Sequence, residues 1–441
     1  MSDPVVVPEG VRTIAPPPSL APVHANERIA SIDVLRGVAL LGILIINIWG
    51  FALPEIALYN PSAAGGWPGA GEVTWIVCHL LCDQKMMSLF SMLFGAGLIV
   101  MVNRADARGT SLTGIYYRRI AWLLLFGLMH AYLLWDGDIL VSYALCGFLL
   151  YPLRRLRPRM QIFLGLLVFL SSLPLVSGIG LLERHLKEVT GLKNEQGTAR
   201  QQEMRQALES LMFEDDSTEK KIEEAIENHR AGYAEQFGRR AEANLWMETA
   251  GFVTWAGPRA GGLMLVGMGL MQLGVFAALR SYRFYAVWML IGYGVGFAIV
   301  GHGVRDLINH QFDPVHEYII GGHFNYVGSL FVALGHVGLV MLICKAGLLR
   351  RLTVRLAAVG RMALSNYLMQ TILCTTLFEG WGFGLFGRLD RLALLGVVGG
   401  IWLVQLIASP LWLHSFRFGP LEWLWRSLTY GRRYPFRAVG A

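Results

Sequence analysis

The sequence predicts an all-α membrane protein with about ten transmembrane helices, and three observations support this. Apolar runs of about 20 residues recur along the chain, and at about 1.5 Å per residue each can cross a hydrocarbon core of about 30 Å. Of the 441 residues, 54% are hydrophobic and only 16% are charged, whereas soluble proteins carry about 25% charged residues. The 51 glycines are typical of membrane helices that pack closely against each other.

The apolar runs define both the spans and the domains of the chain. The ten predicted spans lie near residues 34–53, 86–104, 115–135, 139–153, 160–182, 259–279, 284–304, 324–344, 363–379 and 392–413. The predicted domains are a disordered Pro-rich tail, an N-terminal transmembrane half, a polar extracytoplasmic helical segment, a C-terminal transmembrane half and a basic tail, at 1–28, 29–182, 183–248, 249–415 and 416–441 respectively.

The orientation follows from the loops that carry arginine and lysine. These cations occur in alternate loops and in the C-terminal tail: Arg104, Arg108, Arg118, Arg119, Arg154, Arg155, Arg157, Arg159, Arg280, Arg283, Lys345, Arg350, Arg351, Arg355, Arg361, Arg417, Arg426, Arg432, Arg433 and Arg437. Loops rich in cations remain in the cytoplasm, so both termini are predicted to be cytoplasmic. The net charge of +7 is therefore attributed to loops that face anionic lipid, and a nucleic-acid surface is not expected.

The polar segment 183–248 is then extracytoplasmic, and its second half has the pattern of a helix. Asp216 and Glu219 have the spacing of a capping box, and apolar residues recur at helical spacing after them. One interpretation is a solvated amphipathic helix that rests on the outer surface. The alternative is a lid or a dimer contact.

A histidine near the outer end of the third span is the first candidate for catalysis. His130 lies inside the bilayer, and Asp136 and Asp138 follow in the turn that ends this span. A carboxylate that folds back on an imidazole fixes its tautomer and raises its basicity, as a general base requires. The structural alternative is a buried histidine bonded to a backbone carbonyl, with aspartates that only end two helices.

The first span carries polar residues at both of its ends. Asp33 and Arg36 are three residues apart and share a helix face at the cytoplasmic boundary, where they also fit a simple ion pair. Asn47 follows Arg36 by eleven residues, so it lies on the same face and about 16 Å deeper. These positions predict that Asn47 and His130 lie at a similar depth.

Other polar residues give candidates for substrate binding. Asn366, Tyr367 and Gln370 open the ninth span, where they either bond neighbouring helices or line a polar channel. His302 and His323 belong to a group of histidines near the outer side. No metal is predicted, because neither these histidines nor the group His79, Asp83, Cys78 and Cys82 shows a complete set of metal ligands.

Several segments resemble the YeiB family of bacterial multi-pass membrane proteins, a domain of unknown function. The resemblance extends over most of the chain, and its most specific parts are Ser88–Gly97, His130–Leu140, Gly360–Gln370 and Phe416–Arg432. It implies a location in the bacterial inner, or plasma, membrane.

The opening Ile32–Gly37 is also similar to two groups of transmembrane acyltransferases. These are heparan-alpha-glucosaminide N-acetyltransferase and the acyltransferase-3 group, in which an Arg-Gly pair begins the first helix and a polar residue follows eleven positions later. Here that residue is Asn47, and the glucosamine enzyme also has an asparagine at this position. The glucosamine enzyme has its catalytic histidine in the next outer loop, whereas residues 54–72 contain none. We therefore assign the base to His130.

This resemblance implies transfer of an acyl group from cytoplasmic acyl-CoA to an extracytoplasmic hydroxyl or amine of a sugar, lipid or cell-envelope molecule. The phosphates of acyl-CoA would meet Arg36, Arg118, Arg119 and Arg361, and Asn47 would donate a hydrogen bond to the developing oxyanion. The glucosamine enzyme also implies a homodimer. A transporter or flippase that uses the same polar residues is the alternative function, and a non-catalytic scaffold is a third.

Overall fold

A computed structural model describes residues 29–191 and 218–437, which form helices joined by turns and loops, with no strand among them. The helices are α1 Ala30–Ala52, α2 Ile56–Tyr59, α3 Ala70–Leu81, α4 Lys85–Ala107, α5 Thr113–Leu133, α6 Leu140–Leu150, α7 Pro158–Leu170, α8 Ser172–Gly191, α9 Thr218–Arg230, α10 Tyr233–Trp246, α11 Gly257–Gln272, α12 Tyr282–Asn309, α13 Pro314–His316, α14 Gly322–Ala346, α15 Arg350–Arg361, α16 Ala363–Phe378, α17 Arg391–Ser415 and α18 Pro420–Tyr430. The all-α prediction is confirmed. The predicted tail 1–28 and the capping residue Asp216 lie outside the described residues.

Six helical stretches are long and apolar enough to cross a membrane. They are Ala30–Ala52, Ala70–Ala107, Pro158–Leu186, Tyr282–Asn309, Pro314–Ala346 and Arg391–Ser415. Five of them contain a predicted span, and Ala30–Ala52 covers the predicted span 34–53 except for its last residue. The other four predicted spans correspond to α5, α6, α11 and α16, which do not reach the same combination of length and hydropathy. The count of ten spans therefore stays a prediction.

The structure contains a broken helix near the second span, which the sequence does not predict. Helices α3 and α4 follow each other almost directly within Ala70–Ala107 and are separated only by a turn at Cys82–Gln84. Gln84 adopts a left-handed backbone conformation with φ of 62°, which ends the helical path before α4 begins. The break places polar residues between two apolar helices, where the site below is found.

Close glycine contacts hold the central helices together. α4 crosses α11 where Gly95 meets the backbone of Met264 and Gly267 meets the backbone of Met92. At each of the two glycines an added Cβ would collide with the opposing carbonyl oxygen. Side chains of any size would force these helices apart, so glycine permits the close contact that the sequence predicts.

Gly95→Ala is expected to lower the free energy of unfolding in detergent by about 1–3 kcal/mol, because the helices must separate to accept the new methyl group. The unfolding midpoint of the purified protein measures this effect. Gly399→Ala is the matched control, since Gly399 lies within α17 with open space around it. Equal stabilities of the two variants would contradict the close contact between α4 and α11.

Candidate functional site

The central site contains a buried imidazole that is bonded on both of its nitrogens. His130 lies in the last turn of α5 and is 1% exposed. Its Nδ1 lies 2.7 Å from Oδ1 of Asp138, and its Nε2 lies 2.8 Å from the hydroxyl of Thr371 on α16. An ionised carboxylate can only accept, so Nδ1 donates to Asp138, and in the neutral imidazole Nε2 then accepts from Thr371. This Asp–His–Thr arrangement is the order of groups that activates a hydroxyl nucleophile.

The chain folds to this geometry for local reasons. Asp138 accepts a hydrogen bond from the backbone N–H of Val141 at 2.8 Å, which fixes its carboxylate at the start of α6. The turn between α5 and α6 is short, so the carboxylate returns directly to His130. The ring of Tyr367, one turn before Thr371, lies 5.0 Å from the imidazole between ring centroids. Asp138, His130 and Tyr367 thus lie together, and their roles in catalysis and substrate binding stay predictions.

Asp136 and Asn47 occupy different positions around this centre. Asp136 interacts electrostatically with Arg239 and Arg240 rather than bonding His130, and burial raises its pKa. Asn47 is half-buried on α1, and no described hydrogen bond involves it. On the same helix face, Phe51 stacks on Trp135 at 4.0 Å, and Trp135 meets the edge of the His130 ring. Asn47 therefore lies on the face of α1 that is directed toward the site.

The polar residues at the start of α16 bond neighbouring helices. Nδ2 of Asn366 donates to Ser409 on α17 at 3.0 Å, and Nε2 of Gln370 donates to Gln405 at 3.0 Å. Both residues are 3% exposed. They fit the interhelical alternative, and the structure does not place them in a channel beside His130.

The two predicted histidines lie apart from this centre in their described contacts. His302 is exposed on α12 and meets the ring of Phe324, and His323 is 3.4 Å from the hydroxyl of Ser177 on α8. Neither contact involves α5 or α16. The assignment of these two histidines to a shared substrate site is therefore not supported by the geometry.

Arginines gather at the opposite end of α5. Arg36 bonds Asp33 at 3.3 Å, as predicted, and Asp33 also attracts Arg361. Arg119 lies over the ring of Trp425 at 3.6 Å and within electrostatic range of Arg36. Arg118 lies nearby, against Gly431. A cavity of about 340 Å³ lies at the C-terminal end of α4. It is lined by Ile29, Val100, Asn103, Arg104, Ala107, Arg108 and Met271. This arginine-rich end offers several cations to an anionic molecule.

A second polar cluster lies at the break between α3 and α4, and sequence reasoning found only part of it. Lys85 is fully buried, and its Nζ donates to the backbone oxygen of His79 at 2.5 Å and to the side chain of Asn325. Asn325 donates to Asp83 at 2.6 Å, and Asp83 pairs with Nδ1 of His79 at 3.0 Å. Arg259 is also fully buried, within electrostatic range of Asp83.

This cluster leaves several buried polar atoms without a partner among the described residues. They include Nε2 of His79 and both Nε and Nη1 of Arg259. The remaining nitrogen of Arg259, Nη2, donates to the backbone oxygen of Gln84 and to the hydroxyls of Ser88 and Ser329. Ionisable residues at this depth are costly and are typical of functional sites. The signal in the sequence was Lys85, a cation directly before an apolar run.

Three potential metal ligands meet elsewhere, beside α13. Asp306, His310 and His316 bring one donor atom each to within 4.8 Å of one another, the one such group found among the described residues. The donors already bond each other, since Nε2 of His316 lies 2.7 Å from Asp306 and Nδ1 of His310 lies 2.8 Å from the Asp306 carbonyl oxygen.

Helices α9 and α10 cover the His130 end of α5. Asn244 donates to the carbonyl oxygen of Ala131 at 2.9 Å, and the hydroxyl of Tyr233 donates to that of Leu133 at 2.7 Å. The α9 end is attached to the loop after α16, because the ring of His229 stacks on Phe386 at 3.8 Å. The polar segment therefore joins the two helices that carry His130 and Thr371.

Acidification is expected to loosen this segment. Burial lowers the pKa of His229 to about 4, below its ordinary value of 6.5. Because the pKa of His229 is lower in the folded state than in the unfolded state, the contribution of its neutral ring to the stability of this segment is fully present above pH 6.5. This contribution is lost as the pH falls toward 4. We expect amides in 218–246 to exchange about tenfold faster at pH 5 than at pH 7.5, after correction for intrinsic rates. His229→Phe keeps a stacked ring and should remove this pH dependence; an unchanged dependence would exclude His229 as its source.

Comparison with known proteins identifies the family. The family model described as "Protein of unknown function (DUF418)" matches residues 270–432. The chain is 32% identical to YxaH of Bacillus subtilis (strain 168) over 428 residues, which is 93% of this chain and 96% of that protein. It is 32% identical to YeiB of Escherichia coli (strain K12) over 414 residues, or 91% and 96% of the two chains. No solved structure matches. The chain therefore belongs to the YeiB family of bacterial membrane proteins, which carry the DUF418 region.

Proposed function

We propose that this protein transfers an acyl group from cytoplasmic acyl-CoA to a hydroxyl or amine on the outer side of the bacterial inner membrane. The observation that carries the proposal is the Asp138–His130–Thr371 arrangement, because it places a basic nitrogen 2.8 Å from a hydroxyl inside an apolar bundle. The proposed topology has ten spans, with the arginine-rich end in the cytoplasm. Membrane lipids surround the bundle, and a homodimer stays a prediction.

The donor would bind at the arginine-rich end. The phosphates of acyl-CoA are anionic, and guanidinium groups bind phosphate oxygens in bidentate pairs. Arg119 and His130 are eleven residues apart on α5, which corresponds to about 16 Å along the helix. The extended arm of acyl-CoA would follow this path and bring the thioester to Thr371. Because Thr371 is 1% exposed, the side chains that cover it must move before the thioester can reach it.

The reaction proceeds in two balanced steps. In the first, Thr371 transfers its proton to Nε2 of His130 while its oxygen bonds to the thioester carbonyl carbon; the carbon–sulfur bond breaks, and the CoA sulfur takes that proton. In the second, the acceptor transfers a proton to His130 and attacks the acyl ester, and the freed Thr371 oxygen takes the proton. Asp138 stabilises the imidazolium in both steps, and Asn47 would donate to the oxyanion.

The decisive experiment is to detect the acylated residue. The purified protein is mixed with acetyl-CoA without acceptor, quenched and digested, and an acetyl group is expected on Thr371 by mass spectrometry. Thr371→Val should abolish the label. Thr375→Val is the matched control, since Thr375 is buried one turn later in α16 and bonds only carbonyl oxygens of its own helix. Acetylation that is equal in both variants would disprove the role of Thr371.

The buried cluster at the α3–α4 break favours transport as the second function. Broken helices and buried ionisable residues are typical of ion-coupled transporters. The two functions differ in proteoliposomes: a transporter moves its substrate without any acyl donor, whereas an acyltransferase modifies an outer acceptor only when acyl-CoA is present on the arginine-rich side.

A further inference from the structure

We propose that the surface formed by Tyr233, Arg240, Glu379 and Trp381 binds a hydroxylated molecule that carries a carboxylate or phosphate group. In the proposed reaction this molecule is the acceptor, and only that identification rests on the proposed function. The binding site itself rests on two buried charged groups with unused hydrogen-bonding atoms and on two exposed aromatic rings beside them.

Arg240 supplies the anion-binding edge. This residue of α10 is 7% exposed, and its Nη1 donates to Gln236 at 3.3 Å. Its Nε and Nη2 have no hydrogen-bond partner among the described residues. These two nitrogens form one edge of the guanidinium, and their parallel N–H groups match the two oxygens of a carboxylate or phosphate. A buried cation with an unused edge is costly, so a bound oxyanion would relieve that cost.

Glu379 supplies an oxygen for hydroxyl groups of the same molecule. It follows α16, is 6% exposed, and its Oε2 has no partner within the part of the chain that the structure describes. Arg240 attracts it, together with Arg239, although no hydrogen bond joins the two side chains. Arg239 and Arg240 are opposed by three acidic side chains, those of Glu55, Asp136 and Glu379. Burial raises the pKa of Glu55 and of Asp136, which reduces the negative charge that an additional oxyanion would meet.

Two aromatic rings lie beside these charged groups. Tyr233 is 42% exposed, and its ring lies 4.8 Å below the guanidinium carbon of Arg240. Trp381 is 41% exposed and meets Tyr233 edge to face at 6.4 Å. Their rings offer apolar faces next to polar partners. A sugar ring has apolar C–H faces and a hydroxylated rim, so it matches this combination.

The surface lies near the ends of the two helices that carry His130 and Thr371. Asn244, one turn after Arg240, bonds the carbonyl of Ala131, the residue next to His130. Glu379 follows Thr371 by eight residues, or about 12 Å along α16. A molecule held by Arg240 is therefore anchored above the two helices whose side chains would act on it.

Binding is tested on the full chain in a phosphate-free detergent by the shift of its melting temperature. The probes are glucuronate, glucose 6-phosphate, neutral glucose and the short-chain lipid dihexanoylphosphatidylglycerol. We expect at least one anionic probe to stabilise the protein and glucose to have no effect. Arg240→Gln should lower the apparent affinity for that probe about tenfold or more, because the charge-assisted hydrogen bonds are lost. A response to the lipid alone identifies a headgroup phosphate as the source, and a response to the sugars identifies a soluble or glycan acid.

Arg239→Gln is the matched control, because Arg239 is the exposed neighbour and its loss removes the same charge. Its effect should be a few-fold at most. Arg240→Lys keeps the charge without the two-nitrogen edge, and it replaces Arg240→Gln if that variant does not fold. Equal binding by wild type and both Arg240 variants, stabilisation by glucose equal to that by glucuronate, or no response to any probe would overturn the proposal.

The two proposals can fail separately. His130→Gln should retain anion binding, because His130 does not contribute to this surface. If Thr371 becomes acetylated while no anion stabilises the protein, the acyl transfer stands and the binding surface is wrong. If the anion binds through Arg240 while Thr371 is never acetylated, the surface stands and its occupant is not an acyl acceptor.

Discussion

His130→Gln is expected to lower the rate of Thr371 acetylation about 10³-fold or more, the largest effect of any single substitution on the proposed activity. The amide nitrogen or oxygen of glutamine can still bond Thr371, but it cannot accept a proton at neutral pH. Thr371 then retains its proton and remains a weak nucleophile. Single-turnover mixing with acetyl-CoA, followed by mass spectrometry of the α16 peptide, measures the rate.

Asp138→Asn refines this prediction. The amide would offer a donor to Nδ1 and so favour the wrong tautomer of His130, as in other Asp–His pairs. The rate of Thr371 acetylation in Asp138→Asn should fall almost as far as it does in His130→Gln. His302→Gln is the control, because His302 is exposed on α12 and outside the centre. If the His130→Gln variant acetylates Thr371 at the wild-type rate, His130 is excluded as the base.

Asp83→Ala is expected to cause the largest loss of stability, about 3 kcal/mol or more of the free energy of unfolding. Lys85 and Arg259 are both fully buried, and Asp83 is a carboxylate that interacts electrostatically with both. Removing one partner of a buried pair leaves an uncompensated charge, which costs about 3–5 kcal/mol. Unfolding in detergent measures the loss, and a low yield of folded protein is its qualitative sign.

The double variant Asp83→Ala with Lys85→Met tests the cause. Once both charges are absent, the penalty should fall below the sum of the two single substitutions, with a coupling energy of about 1–3 kcal/mol. Strict additivity would show that Asp83 and Lys85 act independently. Glu224→Ala is the control for loss of an acidic side chain, because its partner Lys220 is a solvent-exposed residue of α9.

The sequence permits a good prediction of the fold because the solvent determines it. In lipid the backbone must satisfy its own hydrogen bonds, so apolar runs become helices. No span is predicted over Ala70–Leu81, because its 12 residues are too few to cross the bilayer. The break after it depends on the left-handed conformation of Gln84, and glutamine carries no strong signal for that conformation.

The candidate site could be predicted only where its parts are close in the chain. His130 and Asp138 are eight residues apart and joined by a short turn, so their contact follows from local geometry. Thr371 lies 241 residues away from His130, and no local pattern distinguishes it from the other threonines of α16. In the same way Asn325 meets Lys85 across 240 residues. These contacts depend on helix packing, which one sequence does not reveal.

The hydrogen bonds of Arg259 and Lys85 have a consequence for biosynthesis. Arg259 on α11 depends on α4 and α14, and Lys85 on α4 depends on Asn325 of α14. The early helices are synthesised long before α14 leaves the ribosome, and until then their buried cations have no amide or hydroxyl from that helix. We therefore expect the nascent chain to keep α4 and α11 beside the insertion channel until α14 arrives, and the two halves to be unable to mature as separate polypeptides.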